Sequence, residues 1–161
     1  MEASERGFHR VGSNVKVYKM AIILSPQNVT LGSDIIIDDF VFIGAHKRLV
    51  LGNRVHISSH SSITGGGRVL LSDFSGMGSG ARLISGTDDF TEGRLNGSAI
   101  PQEFRETHRG TIILEPHAIM SAILPLSPRL LKLSILLAGS SLPDAQPAYC
   151  PWRCSGARVC F

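Results

Sequence analysis

The side chains best suited to moving a proton in this sequence are its histidines and one pair of adjacent acids. There are six histidines, and an imidazole is the usual general base because its ordinary pKa lies near neutral pH. Asp88 and Asp89 are neighbours, and paired carboxylates can raise one another's pKa, orient a histidine or bind hydroxyl groups. A solvated aspartate pair that shapes a turn would look the same. Both interpretations of the pair remain open.

A metal centre is a weaker interpretation of the same kinds of side chain. His56 and His60 have no convincing third partner at a metal-ligand spacing. The cysteines are odd in number, lie in the last dozen residues and have no histidine nearby; they are Cys150, Cys154 and Cys160. Such a set is neither a disulfide framework nor a zinc site. We therefore expect no bound metal.

A six-residue repeat predicts the elements that position these side chains. An aliphatic residue followed, as a rule, by a small or acidic one recurs in three groups of three units. The steps are six residues within a group and eight between groups: Leu31, Ile37, Ile43, Leu51, Ile57, Ile63, Leu71, Met77 and Leu83. The fifth residue of these units is small or β-branched except for Lys47. The pattern thus predicts two rows of inward-facing side chains.

Stacked coils are the architecture that buries such rows. Three six-residue units make one triangular coil of about 18 residues, and successive coils hydrogen-bond in parallel. An ordinary antiparallel sandwich would not hold a period of six over nine units. The sequence therefore predicts an all-β protein, a parallel β-helix, interrupted by an irregular insertion at residues 85–110.

Four stretches stand out beside the repeat: residues 61–67 (Ser-Ser-Ile-Thr-Gly-Gly-Gly), 73–76 (Asp-Phe-Ser-Gly), 85–90 (Ser-Gly-Thr-Asp-Asp-Phe) and 112–119 (Ile-Ile-Leu-Glu-Pro-His-Ala-Ile). With these stretches, residues 29–122 resemble the hexapeptide-repeat acyltransferases. The resemblance is strongest to the sugar acetyltransferases of bacterial surface polysaccharides and nucleotide-sugar precursors. It implies a left-handed helix, whereas generic crossover rules favour right-handed connections. We divide the chain into a lead-in (1–28), the β-helix acyltransferase domain (29–122) with its loop (85–110), and an aberrant tail (123–161).

The resemblance also implies an activity and a set of site residues. Family members transfer an acetyl group directly from acetyl-CoA to a sugar hydroxyl or amine, at sites between the subunits of a homotrimer, with the protein aligning substrates and supplying a base. We favour His117 as the base, because it follows the loop and a matching histidine is familiar in the subgroup. His60, one coil below the loop, is the second candidate, and His108 is the third.

The loop entrance departs from the family pattern. Many relatives place their catalytic histidine where the loop begins, and this chain has Thr87, Asp88 and Asp89 there. We assign the two aspartates to substrate binding. For His117 the alternative is a corner residue that holds a turn. His9, His46 and His56 are expected to be solvated surface residues.

Composition restricts the partners. The net charge of +3 is spread along the chain without a Lys/Arg block or interleaved aromatics, so nucleic acid is an unexpected ligand. No apolar run approaches the roughly 20 residues that span a bilayer, and residues 1–19 lack a signal-peptide core. We therefore expect a cytoplasmic protein without a membrane span.

The hexads cease after Ala122. Relatives continue there with a stretch resembling Asn-Ser-Val-Ile-Leu-Pro, whereas here Ile-Leu-Pro arrives three residues early. A shift of one base would turn the codons of Ile123 and Leu124 into Asn-Ser, so we interpret the tail as the product of a frame change; a divergent native tail is the alternative. Because the family's later coils hold CoA, we expect impaired activity.

Two other functions fit the same scaffold. A catalytically silent β-helix, retained as an assembly module or fragment, would show the repeat without turnover. A zinc hydratase related to the carbonic anhydrases would show stoichiometric metal. Acetyl-CoA binding separates an acetyltransferase from both.

Overall fold

The computed structural model describes residues 6–88, Leu95, Gly97 and residues 99–120, together with the backbone of residues 125–126 and 157–160. Short strands follow one another around three sheets, which we label A, B and C in the order in which each coil visits them. Within the coils, strands pair in parallel with the strand one coil earlier or later. The predicted all-β fold is confirmed as a parallel β-solenoid.

Each coil contributes one strand to each sheet. Sheet A contains β1 (Arg10–Val11), β4 (Val29–Leu31), β7 (Leu49–Leu51), β10 (Arg68–Leu71), β15 (Thr111–Leu114) and β18 (Ala157–Cys160). Sheet B contains β2 (Val15–Val17), β5 (Ile35–Ile37), β8 (His56–Ile57), β11 (Gly76–Met77) and β16 (Ile119–Met120). Sheet C contains β3 (Ile22–Leu24), β6 (Phe42–Gly44), β9 (Ser62–Thr64), β12 (Arg82–Ile84) and β17 (Pro125–Leu126). Two strands of the insertion, β13 (Gly86–Asp88) and β14 (Thr107–Arg109), form a separate antiparallel pair.

The coil is longer than the three units alone would make it. Val29 pairs with Leu49, and Leu49 pairs with Val69, a step of 20 residues. The two residues beyond the expected 18 or so fall where the chain passes from sheet C to sheet A, which is where the hexad register jumps by eight. The connection at that corner is therefore two residues longer than at the other two.

Both predicted inward rows are buried. The nine aliphatic positions are each at most 3% exposed. In the second row Lys47 is exposed, and the others are buried: Ile35, Val41, Val55, Ser61, Gly67, Ser75 and Ala81. This burial confirms the register assigned from the sequence and places the core inside the coils.

The repeat begins one coil earlier than the sequence predicts. Residues 10–24, expected as a lead-in, form β1, β2 and β3, which pair in parallel with the next coil. Two of these units place Tyr18 and Leu24 after the inward residue, where the rule requires a small or acidic side chain. The inward Val17 and Ile23 are only half-buried because, in the described part of the chain, no coil precedes this one.

A strand of the tail covers one open edge of the last coil. β18 pairs antiparallel with β15, aligning Ala157 with Leu114 and Cys160 with Thr111. An unpaired edge strand is a template for association, so this pairing protects sheet A. The rest of the tail, including the Leu-rich run after Leu126, lies outside the described residues. Short 3-10 turns lie at Pro26–Asn28 and Gln102–Phe104. No helix in the described part of the chain is long and apolar enough to span a bilayer.

Candidate active site

The predicted site residues lie on three different edges of the triangular coil. His117 lies between β15 and β16, on the edge where sheet A meets sheet B, and His60 lies between β8 and β9, where sheet B meets sheet C. Asp88 ends β13, on the edge where the chain leaves sheet C and returns to sheet A. Asp89 lies outside the described residues. One chain therefore does not bring His117, His60 and Asp88 into a single cluster.

His117 is a corner residue whose ring is held by stacking. Its φ is 63°, and the equivalent corner residue of four earlier coils also has a positive φ: Asn14, Asp34, Arg54 and Phe74. The imidazole stacks on Phe74 with ring centroids 4.9 Å apart, and the backbone N–H donates to the carbonyl oxygen of Asp73. His117 is exposed. His117 therefore lies at a corner, as both interpretations of this residue require, and its ring is accessible to a substrate.

His60 repeats this arrangement on the next edge. Its φ is 62°, and its ring stacks on Phe40 with centroids 5.1 Å apart and planes inclined by 6°. His56, by contrast, points outward and is paired, with Nε2 3.0 Å from a carboxylate oxygen of Asp38. That pairing is consistent with the surface role expected for His56.

Asp88 ties the two halves of the loop together. Its Oδ2 accepts a hydrogen bond from the backbone N–H of Gly97 at 2.8 Å, and its Oδ1 accepts one from the Thr107 hydroxyl at 3.2 Å. Arg105 lies 3.8 Å from Oδ1 and donates to the carbonyl oxygen of Gly97 at 2.8 Å. The Gly97 hydrogen bond, more than the Arg105 charge and the Thr107 hydroxyl, holds the pKa of Asp88 below its ordinary value. This carboxylate is therefore a weak base, and both of its oxygens already accept a hydrogen bond.

A pH-dependent effect follows from this lowered pKa. An acid whose pKa is depressed by folding stabilises the fold above its ordinary value, about 3.9, and loses that contribution as pH falls through the lower, folded pKa. We expect Asp88→Asn to weaken hydrogen-exchange protection at residues 105–109 at neutral pH, with the difference from the parent disappearing only in stronger acid. A difference that already vanishes between about pH 7 and 5 would contradict this role.

Glycines form a tight junction at the base of the loop. A Cβ on Gly65 would collide with the backbone nitrogen of Gly86, and one on Gly67 would collide with the carbonyl oxygen of Gly110. The Ser85 hydroxyl accepts from the Gly67 N–H at 2.9 Å and donates to the Thr64 carbonyl at 2.8 Å. The three consecutive glycines therefore let the loop leave and rejoin the coil at one point.

Gly67→Ala should destabilise the protein by about 2–3 kcal/mol, because the neighbour that must move is backbone. Gly44→Ala is the matched control: Gly44 is also buried in the solenoid, but its Cβ would meet nothing closer than 3.8 Å. Chemical denaturation of both variants measures the difference. Equal stabilities would show that the junction can relax.

No three His, Cys, Asp or Glu side chains in the described part of the chain lie close enough to hold a metal ion. Cys150 and Cys154 lie outside that part, and only the backbone of Cys160 is described. Sequence reasoning missed Arg105, which no motif distinguishes from the other loop residues. Residues 89–94, 96 and 98 of the loop lie outside the described part of the chain, so they carry no structural assignment.

Similarity to known proteins agrees with this fold. No family model matches the chain. It is 30% identical over 129 residues to the dTDP-4-amino-4,6-dideoxy-D-glucose acyltransferase of Escherichia coli, an alignment that covers 78% of this chain and 67% of that protein. AntD, an N-acyltransferase from Bacillus cereus in complex with dTDP and 3-hydroxybutyryl-CoA, superposes with a TM-score of 0.65 at 27% identity, covering 77% of this chain and 69% of AntD.

A variant of AntD in complex with dTDP and coenzyme A superposes with a TM-score of 0.67 at 29% identity, over 72% of this chain. The present chain spans 62% of the length of that structure. Repeat, parallel coils and inserted loop together define a hexapeptide-repeat β-solenoid. The chain belongs to the hexapeptide-repeat acyltransferase family.

Proposed function

We propose that this protein transfers an acyl group from an acyl-CoA, with acetyl-CoA as the donor, to a sugar carried on a nucleotide. The similarity to the Escherichia coli dTDP-4-amino-4,6-dideoxy-D-glucose acyltransferase carries the proposal. Structures of AntD contain dTDP with coenzyme A or an acyl-CoA, which supports a nucleotide-sugar acceptor and a CoA thioester donor. The product would serve the synthesis of a bacterial surface polysaccharide or lipopolysaccharide in the cytoplasm.

The acceptor that this similarity favours is an amino group, because AntD is an N-acyltransferase. The neutral amine attacks the thioester carbonyl, a C–N bond forms and the C–S bond breaks. The amine gives up a proton to a base, and the departing thiolate takes up a proton. Alignment of the two substrates supplies much of the acceleration in such a transfer.

We assign the base to His117 and keep His60 as the second candidate. Both rings are exposed and have an orientation set by stacking on Phe74 or Phe40. Asp88 and Asp89 are assigned to the acceptor. For Asp88 this role would be shared with fixing the loop, because its carboxylate oxygens already accept two hydrogen bonds.

A site shared between subunits reconciles these residues with their positions on three edges. A cyclic trimer can bring the loop edge of one chain against a histidine edge of the next. We therefore predict a homotrimer, measured by light scattering during size-exclusion chromatography. A clean monomer across micromolar concentrations would remove the shared site and the His117 assignment with it.

The acyl-CoA groove is proposed to be incomplete in this chain. In the described part of the chain, the coil formed by β15, β16 and β17 follows the loop, and no further parallel strand is present. Turnover should therefore be low, and shifting the reading frame by one base after the Ala122 codon should restore hexads and affinity for acetyl-CoA together.

Calorimetric titration of acetyl-CoA into both chains tests this proposal. We expect weak, saturable binding by the present chain and tighter binding by the frame-shifted chain. Tight binding by the present chain would show that its tail completes the groove, and the frame-change interpretation would be dropped. No binding by either folded chain would favour a silent assembly module, and stoichiometric zinc would favour a hydratase.

A further inference from the structure

Four basic side chains from three separated parts of the chain meet at the corner between sheet C and sheet A. Lys47 and Arg48 precede β7, Arg68 begins β10, and Arg109 ends β14. All four are exposed. We call this set the basic corner. It lies on the edge from which the loop projects, at the corner with the longer connection.

The register of the sheet brings these residues together. Val69 pairs with Leu49, so Arg68 and Arg48, which come directly before these two residues, are adjacent, and both are exposed. Neighbouring strands lie about 4.8 Å apart. The third arginine approaches from the loop: the position that a Cβ would take on Gly66 lies 3.2 Å from Nε of Arg109 and 3.7 Å from Cβ of His46. Gly66 is buried, and its lack of a side chain lets Arg109 and His46 approach its backbone closely.

Within the part of the chain that the structure describes, the basic corner has few charge partners. The side chains of Lys47, Arg48 and Arg68 form no hydrogen bond or ion pair with any residue in the described part of the chain. The four residues carry a formal charge of +4, more than the net +3 of the entire protein. Asp88 interacts electrostatically with Arg109, but its carboxylate already contacts Gly97, Thr107 and Arg105. Clustered cations of this kind attract a multivalent anion.

Phosphate is the anion that this set of side chains suits. Guanidinium groups bind phosphate oxygens through two parallel hydrogen bonds, and two adjacent arginines with a lysine offer donors to two linked phosphates. Both substrates of the proposed reaction contain a diphosphate, one in the nucleotide-sugar and one in CoA.

We propose that the basic corner binds the diphosphate of one of the two nucleotide substrates, an inference that rests on the proposed acyltransferase function. The test is calorimetric titration of dTDP and, separately, of CoA into the full chain and its variants. Arg48→Gln and Arg68→Gln should each weaken binding of one nucleotide by about tenfold or more, the usual effect of losing a charged hydrogen bond. Loss confined to dTDP assigns the corner to the acceptor, and loss confined to CoA assigns it to the donor.

The matched control is Arg82→Gln, because Arg82 is an exposed arginine on sheet C away from this corner. It should leave both affinities unchanged, and Arg48→Lys should retain part of the binding. Unchanged affinities in Arg48→Gln and Arg68→Gln, or equal losses in Arg82→Gln, would overturn the assignment while leaving the acyltransferase function intact. Competition by single-stranded DNA as strong as that by the nucleotides would also overturn it. Failure of the parent to bind either nucleotide would overturn the corner and the proposed function together.

Discussion

Ile57→Asp should unfold the protein or lower its free energy of unfolding by about 4 kcal/mol or more, because a charge without a partner would enter the core. Ile57 is fully buried, and its coil neighbours Ile37 and Met77 flank it on sheet B. Ile63→Asp should behave similarly, because Ile63 is 3% exposed in the same inward row. Thermal and urea denaturation measure both effects.

Ile36→Asp is the control for these variants. Ile36 lies on sheet B directly before the buried Ile37, but its side chain points outward and is 37% exposed. We expect this change to alter stability by no more than about 1 kcal/mol. Unchanged stability in both core variants, or an equal loss in Ile36→Asp, would contradict the inward register.

His117→Ala should reduce acyl transfer by on the order of a hundredfold or more, the usual effect of removing a general base. His56→Ala should have little effect, because that imidazole is paired with Asp38 on the surface. Rates are to be measured at saturating concentrations of both substrates, so that the chemical step is separated from binding. A large loss in His60→Ala or Asp88→Ala, with His117→Ala near normal, would move the base to another edge.

A loss of stacking is the competing explanation for such an effect. Phe74→Leu removes the ring on which His117 stacks but retains the imidazole. If the histidine is the base, Phe74→Leu should reduce turnover far less than His117→Ala and should leave the shape of the pH–rate profile unchanged. Equal losses in the two variants, with a parallel loss of thermal stability, would indicate a corner residue that only holds the turn.

The inward rows could be predicted because each coil repeats the same local requirement. An inward residue must be aliphatic, and the residue after it must fit a tight corner, so Leu31, Ile37 and their equivalents reveal the period without tertiary information. The first coil was not predicted because Tyr18 and Leu24 occupy positions where the repeat has small or acidic residues. There the packing of one coil on the next overrides the local preference.

The candidate site could be predicted less well, because its parts come from distant segments. Arg48, Arg68 and Arg109 look scattered along the sequence, and only the 20-residue step and the return of the loop bring them together. The function of Asp88 in closing the loop depends on Gly97 and Arg105, whose positions no motif indicates. His117 could be located at the re-entry of the chain, but its stacking on Phe74 follows from the coil spacing.

Acyl transfer to a nucleotide-sugar is the reaction that the proposed function requires. Mass spectrometry of dTDP-4-amino-4,6-dideoxyglucose incubated with the protein and acetyl-CoA, or with 3-hydroxybutyryl-CoA in a second reaction, tests it most directly. We predict a singly acylated nucleotide-sugar that forms only when donor, acceptor and protein are all present, slowly with this chain and faster with the frame-shifted chain. Complete absence of acylated product with both folded chains and both donors would contradict the claim.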